Sequence, residues 1–275
     1  HAQGWPYFTE HLVLATPDNG VATAIYAACK ATVKVGDGKE ITLHEETNYP
    51  FEEAIAFTVS TGEKVAFPFY LRIPSWTQKA EVRVNGKKVS AAPVAGKYLC
   101  INREWANGDR VELTLPMSLS MRTWQVNKNS VSVDYGPLTL SLKIAEKYVE
   151  KDSRETAIGD SKWQKGADSK KWPTTEIYPD SPWNYSLVLD KKEPLKNFKV
   201  IRKSWPADNY PFTVASVPLE VKAIGRPVPE WKIDETGLCG VLPEEDAVKG
   251  DKEEITLIPM GAARLRISAF PNTKE

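Results

Sequence analysis

The side chains best suited to acid–base chemistry in this sequence are carboxylates that follow one another directly. They form four clusters: Glu45-Glu46, Glu52-Glu53, Glu244-Glu245-Asp246 and Glu253-Glu254. Hydrolysis by a carboxyl pair needs both groups to face the same bond, whereas neighbouring residues of a strand point to opposite faces. We therefore interpret these clusters as solvated surface and predict no catalytic pair among them.

Asp134 differs from these clusters because it stands among apolar residues, just before Tyr135-Gly136-Pro137. A short carboxylate at a strand end commonly accepts hydrogen bonds from nearby backbone N–H groups. We interpret Asp134 as such a cap and not as a catalytic group.

The spacing of the cysteines and histidines does not indicate a catalytic or metal-binding site. The sequence has three cysteines and three histidines, at Cys29, Cys100, Cys239, His1, His11 and His44. There is no C-x-x-C pair, and no histidine lies at zinc-ligand spacing from a cysteine. We interpret the cysteines as inert buried thiols, with a disulfide between two of them left open, and the histidines as structural or surface residues. We predict no metal site and no cofactor in this chain.

The composition argues against several classes of partner. Lysine plus arginine and aspartate plus glutamate each number 36, so the formal net charge is zero. This balance gives no electrostatic support for binding nucleic acid or an anionic membrane. No apolar run approaches the roughly 20 residues of a membrane-spanning helix. Neither G-x-x-x-x-G-K nor a strand-linked G-x-G-x-x-G occurs, which argues against a nucleotide site.

The elements that would position any site are mostly strands. A central stretch, residues 67–117, opens with apolar residues at every second position from Phe67 to Ile73, which is typical of a strand with one face in a core. Asn85-Gly86 lies between two further strand patterns and predicts a type I′ hairpin turn. Residues 21–35, 212–214 and 265–269 are among the other segments predicted as strands. Twenty prolines and 16 glycines also suit a turn-rich β protein.

The one helical pattern lies at the N-terminal end. Trp5, Phe8, Leu12 and Ala15 form an apolar stripe at helical spacing, and Thr16–Gly20 is predicted to end the helix. A single amphipathic helix ahead of a β protein needs a neighbour to cover its stripe. We predict that Trp5, Phe8 and Leu12 are docking residues.

The strand patterns indicate an all-β fold of two β-sandwich domains, with the short helix ahead of them. Residues 20–145 hold about nine candidate strands at the spacing of a β-sandwich and form the first domain. Residues 146–251 form a second, smaller β domain, in which the polar run 151–175 is a long excursion and not a strand. A plain tandem split near residue 190 is an alternative that periodicity does not separate from this one.

Three runs in the central stretch and two later ones resemble a known family. Phe69–Trp76 has the pattern F-x-L-R-I-P-x-W, Val82–Gly86 has V-x-V-N-G, and Tyr98–Met117 has Y-x-x-I-x-R-x-W-x-x-G-D-x-V-x-L-x-L-P-M. Asp134–Leu138 and Leu257–Ile267 fit as well. Together these runs resemble the β-L-arabinofuranosidase-like glycoside hydrolases, a former domain-of-unknown-function family. In that family they belong to the C-terminal β-sandwich portion that follows an α/α barrel.

The resemblance implies a partner domain and a division of labour. Residues 1–19, whose Gln3–Pro6 looks like a segment near the end of the barrel, would be a helical remnant of that barrel, and residues 252–270 would complete the first sandwich. The catalytic α/α barrel of the same polypeptide would hold a cysteine nucleophile beside a zinc bound by cysteines and a glutamate. No cysteine of this chain matches that motif, so no catalytic residue carries over and the chain alone is expected to be inactive. The family leaves the compartment open, with an extracytoplasmic or periplasmic location among those that fit.

Sugar binding without chemistry is a further hypothesis. Trp163, Trp172, Trp183 and Tyr185 lie in or beside the polar excursion, where flat rings can present apolar faces to sugars. The alternative is that these rings anchor the excursion to a domain. The function therefore stays open between a non-catalytic supporting region of a glycoside hydrolase, a carbohydrate-binding module for arabinose-containing glycans, and a purely structural docking domain.

Overall fold

Strands make up nearly all of the regular structure of the chain. The computed structural model describes residues 4–151, 170–171, 173–244 and 247–274. Within these ranges there is one short α-helix, near the N-terminal end, and a single 3-10 turn. The predicted all-β fold with a short N-terminal helix is confirmed. The chain divides into two compact units, unit 1 with residues 1–118 and 135–137, and unit 2 with residues 119–134 and 138–275.

Unit 1 begins with the helix and continues as strands. These elements are α1 (Gly4–Glu10), β1 (Val13–Ala15), β2 (Val21–Thr23), β3 (Cys29–Val35), β4 (Lys39–Thr47), β5 (Ala54–Thr61), β6 (Val65–Arg72), β7 (Glu81–Val84), β8 (Lys87–Lys88), β9 (Tyr98–Trp105) and β10 (Arg110–Thr114). One sheet has the order β1-β2-β6-β9 and the other the order β3-β4-β5-β10-β7-β8.

The two sheets of unit 1 enclose one core. Inward-facing side chains of both sheets belong to the same buried cluster, which includes Phe57, Phe69 and Leu113. Trp105 is fully buried in it, and its indole N–H donates to the carbonyl oxygen of Phe67 at 3.0 Å, which satisfies the polar atom that burial removes from water. Unit 1 is therefore a β-sandwich whose central stretch supplies much of the core.

The hairpin turn predicted at Asn85-Gly86 is confirmed. The two residues have φ angles of 51° and 77°, and β7 and β8 pair antiparallel on either side of them. A type I′ turn needs positive φ at both central positions, which asparagine and glycine tolerate.

The N-terminal helix is shorter than the sequence pattern predicts. It ends at Glu10, and β1 then pairs antiparallel with β2. Thr16 closes the turn between these strands, because its backbone N–H donates to the carbonyl oxygen of Gly20 and its hydroxyl accepts from the N–H of Gly20. Pairing with β2 uses backbone groups of β1 that a longer helix would have bonded internally.

The single strand predicted over residues 21–35 is two strands in different sheets. β2 pairs parallel with β6, whereas β3 pairs antiparallel with β4. Residues 24–28 carry the chain from one sheet to the other, and the hydroxyl of Tyr26 donates there to the carbonyl oxygen of Arg72 at 2.5 Å. Alternation of apolar residues continues across this crossing, so the period of two does not reveal it.

Unit 2 is built on one large sheet. Its strands are β11 (Leu119–Trp124), β12 (Ser130–Tyr135), β13 (Leu138–Leu142), β14 (Glu146–Lys151), β15 (Thr174–Pro179), β16 (Tyr185–Leu189), β17 (Lys199–Arg202), β18 (Leu219–Pro227), β19 (Glu253–Pro259) and β20 (Asn272–Lys274). The large sheet has the order β11-β12-β13-β19-β18-β16-β20, and β17 also pairs with β18. β14 and β15 form a separate antiparallel ribbon. A second buried cluster, with Val133, Leu187 and Leu257 among its members, lies against the large sheet.

The observed units and the predicted domains divide the chain differently at residues 119–134, 138–145 and 252–270, which lie in unit 2 and not with the first sandwich. The sequence pattern groups β12 and β13 with the first sandwich, whereas both strands lie mainly in unit 2, where β19 pairs with β13 and β18. A run of evenly spaced strand patterns does not show which sheet each strand joins. That choice depends on side chains far apart in the chain.

Three segments of unit 2 differ from their predicted secondary structure. Residues 212–214 and 265–269 are not strands; the backbone N–H of Ile267 bonds instead to the hydroxyl of Ser141 at 3.0 Å. Residues 151 and 174–175, at the ends of the predicted polar excursion, belong to the ribbon of β14 and β15. Residues 152–169 lie outside the described ranges.

Candidate functional site

The predicted docking residues lie at two depths in unit 1. Trp5 and Phe8 on α1 are 67% and 38% exposed, and their rings meet edge to face with centroids 6.0 Å apart. Tyr7, between them in the chain, is also well exposed. Leu12 follows the helix and is buried. The structure thus brings Trp5 and Phe8 together on the surface and places Leu12 in the interior.

Two of the four predicted sugar-binding residues, Trp163 and Trp172, lie outside the described residues. Trp183 is half-buried, and its ring packs edge-on against the buried Trp231 with centroids 5.2 Å apart. Tyr185 lies on β16 inside the second core cluster, and burial raises the pKa of its hydroxyl to about 12. Trp183 keeps part of its ring accessible, whereas Tyr185 occupies a packing position.

Hydrogen bonds hold the loop that presents Trp183. The side-chain amide of Asn184 donates to the carbonyl oxygens of Val228 and Trp231, at 2.9 and 3.1 Å. The indole N–H of Trp231 donates in turn to the carbonyl oxygen of Gly240 at 3.0 Å. These bonds tie the start of β16 to residues 228–240, so the orientation of Trp183 is fixed by backbone and core contacts on both sides.

Trp183 also lines a cavity of about 360 Å³ in unit 2. The other walls come from β15, from the turn at residues 233–239 and from residues 264–267. We call this cavity the Trp183 cleft. Most of its lining is apolar, and the exceptions include two arginines, Arg264 and Arg266. The sequence patterns did not indicate this cleft, because residues 265–269 were predicted as a strand and the lining segments lie far apart in the chain.

Asp134 does not cap backbone N–H groups as predicted. It is 9% exposed and accepts both Nε and Nη2 of Arg122, at 2.6 and 2.9 Å. The hydroxyl of Thr139 donates to the same carboxylate at 2.7 Å. A bidentate arginine pair of this kind orients both side chains. The arginine partner was not expected because the sequence pattern did not predict β11, the strand that places Arg122 beside Asp134.

Glu45 is the exception among the carboxylate clusters predicted to be solvated. It lies on the core face of β4 in line with Ile41 and Leu43, and it is 1% exposed. Burial raises the pKa of its carboxyl group to about 8, although the backbone N–H of Ala27 at 3.0 Å and the thiol of Cys29 at 3.8 Å favour the charged form. The alternation Ile41, Leu43, Glu45 was the sequence signal that could have identified it.

The other carboxylate clusters are mostly at the surface. Glu46 is exposed, and its carboxylate lies 3.6 Å from Nη1 of Arg110, whose Nε lies 3.4 Å from the carboxylate of Glu112. These residues and Glu52 line a shallow depression of about 590 Å³ on unit 1. Glu253 and Glu254 are exposed as well, and Glu245 and Asp246 lie outside the described residues. Because arginines lie between the carboxylates of the depression, we assign it no chemistry.

The cysteines are not all buried as predicted. Cys100 and Cys239 are exposed and Cys29 is half-buried, and all three thiols are free. Burial, with the neighbouring Glu45, raises the pKa of the Cys29 thiol to about 11, which disfavours the nucleophilic thiolate. Across the described part of the chain, no group of three or more His, Cys, Asp or Glu side chains is arranged to hold a metal ion.

Part of unit 1 is similar to a known protein family. Residues 20–117 match the family model described as β-L-arabinofuranosidase, GH127 middle domain. The matched range falls within unit 1 and contains all of its strands except β1. The predicted family resemblance is confirmed. Residues 20–117 are similar to this domain, and no curated protein matches the chain.

Solved structures are similar in fold over both units of the chain. A GH127 β-L-arabinofuranosidase from Geobacillus stearothermophilus T6 has 20% sequence identity and a TM-score of 0.61, covering 97% of this chain and 35% of its own. A GH127 β-arabinofuranosidase has 23% identity and a TM-score of 0.59, covering 94% of this chain and 36% of its own. A further glycoside hydrolase has 22% identity and a TM-score of 0.58, covering 93% and 36%. At these identities the likeness shows the fold.

The chain spans about a third of the length of these structures. In its described residues, no helix has both the length and the apolar character needed to cross a membrane.

Proposed function

We propose that this GH127-like chain is a non-catalytic β-sandwich region that supports the catalytic α/α barrel of a β-L-arabinofuranosidase-like glycoside hydrolase. The observation that carries the proposal is the match of residues 20–117 to the middle domain of that family. The sandwich of unit 1 supplies a rigid body. The exposed Trp5 and Phe8 supply an apolar surface of the kind that a neighbouring domain covers.

The chemistry of the parent enzyme belongs to its barrel in this proposal. By the family resemblance the barrel would hold a cysteine nucleophile and a zinc ion, and no group of three or more His, Cys, Asp or Glu side chains among the described residues of this chain is arranged to hold a metal ion. Cys29, whose thiol lies 3.8 Å from the carboxyl group of Glu45, has its pKa raised and not lowered. We therefore assign the hydrolysis of arabinofuranosides to the parent polypeptide and no catalytic step to residues of this chain.

The gene sequence upstream of codon 1 tests the parentage. We expect an α-helical barrel that ends in near-adjacent cysteines, and an unrelated upstream domain would overturn the proposal.

Comparison of the full-length protein with a form lacking residues 20–117 tests the supporting role, since the barrel should melt at a lower temperature without its sandwich. The purified chain, assayed on an arabinofuranoside with added zinc, should show no turnover, and measurable hydrolysis would contradict the assignment.

Carbohydrate binding is a second candidate function. The observation that favours it is the position of Trp183, half-buried on the wall of an apolar cleft, since aromatic walls with a few polar groups are typical of sugar sites. A purely structural docking domain is the remaining alternative, and it would use Trp5 and Phe8 without any glycan.

A further inference from the structure

The Trp183 cleft has the size and lining of a site for a small ligand. Its volume of about 360 Å³ lies at the lower end of the range found for small-molecule pockets. Ile177 and Tyr178 of β15 line one side, and Leu238, which is 66% exposed, lines another. The walls belong to unit 2 alone.

One aromatic ring in the lining is held in place before any ligand arrives. The ring of Trp183 packs edge-on against Trp231. The side-chain amide of the next residue, Asn184, donates to the carbonyl oxygens of Val228 and Trp231. A ring fixed in this way loses little conformational entropy when a ligand packs on it. The apolar face of a pyranose or furanose ring is a ligand surface that suits such a wall.

The two arginines of the cleft differ in how their charge is balanced. Arg264 lies beside Glu146: its backbone N–H donates to one carboxylate oxygen at 3.0 Å, and its guanidinium lies 3.8 Å from the other. Arg266 has no carboxylate within ion-pair distance among the residues that the structure describes. Arg266 therefore supplies a positive charge that the described neighbours do not neutralise.

The guanidinium of Arg266 is also oriented by the fold. Its Nε donates to the carbonyl oxygens of Met260 and Ala263, at 3.2 and 2.8 Å. Both bonds use Nε, so the two terminal nitrogens are left to face other groups. A guanidinium held in this way suits a planar carboxylate, which it can bind through two parallel hydrogen bonds.

We propose that the Trp183 cleft binds an acidic oligosaccharide, with the carboxylate of a uronate residue on Arg266 and the apolar face of its ring against Trp183. The choice of a carbohydrate rests on the proposed function. The choice of an acidic one rests on the unbalanced, pre-oriented charge of Arg266 next to an aromatic wall. The proposal gives the cleft a binding role and no chemistry.

Isothermal titration of the 275-residue chain with α-1,4-linked trigalacturonate tests the proposal, with a neutral arabinotriose as the comparison probe. We expect saturable binding of trigalacturonate that weakens as salt is raised, and markedly weaker binding of arabinotriose. Arg266→Gln should weaken trigalacturonate binding by about 10-fold or more, because it removes a charge-assisted hydrogen-bonded pair. Arg83→Gln, which changes an exposed arginine of unit 1, is the matched control and should leave binding unchanged.

Trp183→Ala should abolish binding, but it also removes a packing partner of Trp231 and could therefore disturb the fold. Leu238 lines the cleft and is exposed, so substitutions there test binding without removing a core contact. Leu238→Asp should weaken binding and Leu238→Lys should preserve or strengthen it. Equal affinity for the neutral trisaccharide, unchanged affinity in Arg266→Gln, or no binding of either probe would overturn the proposal. None of these results would bear on the supporting role, which the upstream gene sequence and the truncated full-length protein test separately.

Discussion

The carboxyl group of Glu45 and the thiol of Cys29 face each other across two neighbouring strands, with Oε2 and Sγ 3.8 Å apart. The two residues are directly paired in the register of β3 and β4. Glu45 is almost fully buried, and the groups that bond to it are this thiol and the backbone N–H of Ala27. No cation is among the causes of its shifted pKa. A carboxyl group in such surroundings is held in its neutral form over a wide range of pH.

We predict that unit 1 loses stability as the pH rises toward 8. The pKa of Glu45 is about 8 in the folded chain against 4.5 for an ordinary glutamate, so between these values the folded state binds a proton that the unfolded chain releases. This stabilisation is fully present below about pH 4.5 and is lost as the pH rises through about 8. The free energy of unfolding should fall by up to about 1.4 kcal/mol per pH unit within the window. Urea unfolding followed by circular dichroism measures it.

Two variants separate this effect from other titrating groups. Glu45→Gln should flatten the profile between pH 5 and 8, because an amide has no proton to release, whereas Glu46→Gln, at the exposed neighbouring position, should keep the wild-type slope. A wild-type slope that survives in Glu45→Gln would contradict the prediction.

Alkylation should distinguish the three thiols. Cys29 is half-buried and its pKa is raised to about 11 by burial and by Glu45, whereas Cys100 and Cys239 are exposed. At pH 8, iodoacetamide should label Cys100 and Cys239 at least about 10-fold faster than Cys29, because the thiolate is the reacting species. Mass spectrometry of timed samples measures the rates. The same reaction in concentrated urea is the control and should label all three alike; faster labelling of Cys29 in the folded chain would refute the assignment.

The sequence predicted local features well and long-range ones poorly, for a physical reason. The Asn85-Gly86 turn and the strand that opens the central stretch depend on neighbouring residues alone, and both were predicted correctly. The end of α1 and the crossing at residues 24–28 depend on which distant strand takes the backbone hydrogen bonds of β1, β2 and β3. Periodicity carries no information about that partner.

The same limit applies to the sites. Glu45 could have been predicted as buried from its place in the alternation of β4. The partner of Asp134 could not, because Arg122 reaches it only through the pairing of an edge strand that the pattern did not show. The Trp183 cleft is made by separate segments that lie between residues 144 and 267 of the chain, and no local pattern predicts that they meet.

Removal of Arg122 should destabilise unit 2 more than removal of an ordinary surface arginine. Arg122→Ala leaves the nearly buried Asp134 without its bidentate partner, although Thr139 still donates to it and the arginine itself is half exposed. We expect a loss of about 1–3 kcal/mol in the free energy of unfolding. Arg83→Ala, whose guanidinium lies 3.7 Å from an exposed Glu81, is the matched control and should change stability by less than about 0.5 kcal/mol. Urea unfolding measures both losses, and equal values would show that the Arg122–Asp134 pair contributes no more to stability than an exposed ion pair.

The three predicted docking residues should separate into two classes when they are mutated. Leu12 is buried within unit 1, so Leu12→Ala should lower the free energy of unfolding by about 2–4 kcal/mol through lost burial and the cavity left behind. Trp5 and Phe8 are exposed on α1 and contact each other, so the double variant Trp5→Ser/Phe8→Ser should change stability by less than about 0.5 kcal/mol.

The double variant should instead reduce self-association of the isolated chain, because an exposed aromatic pair favours association when no partner domain covers it. Light scattering over a range of concentrations measures this self-association. If the double variant unfolds the chain, or if scattering is unchanged while the fold is intact, α1 belongs to the core of unit 1 and does not serve as a surface for docking.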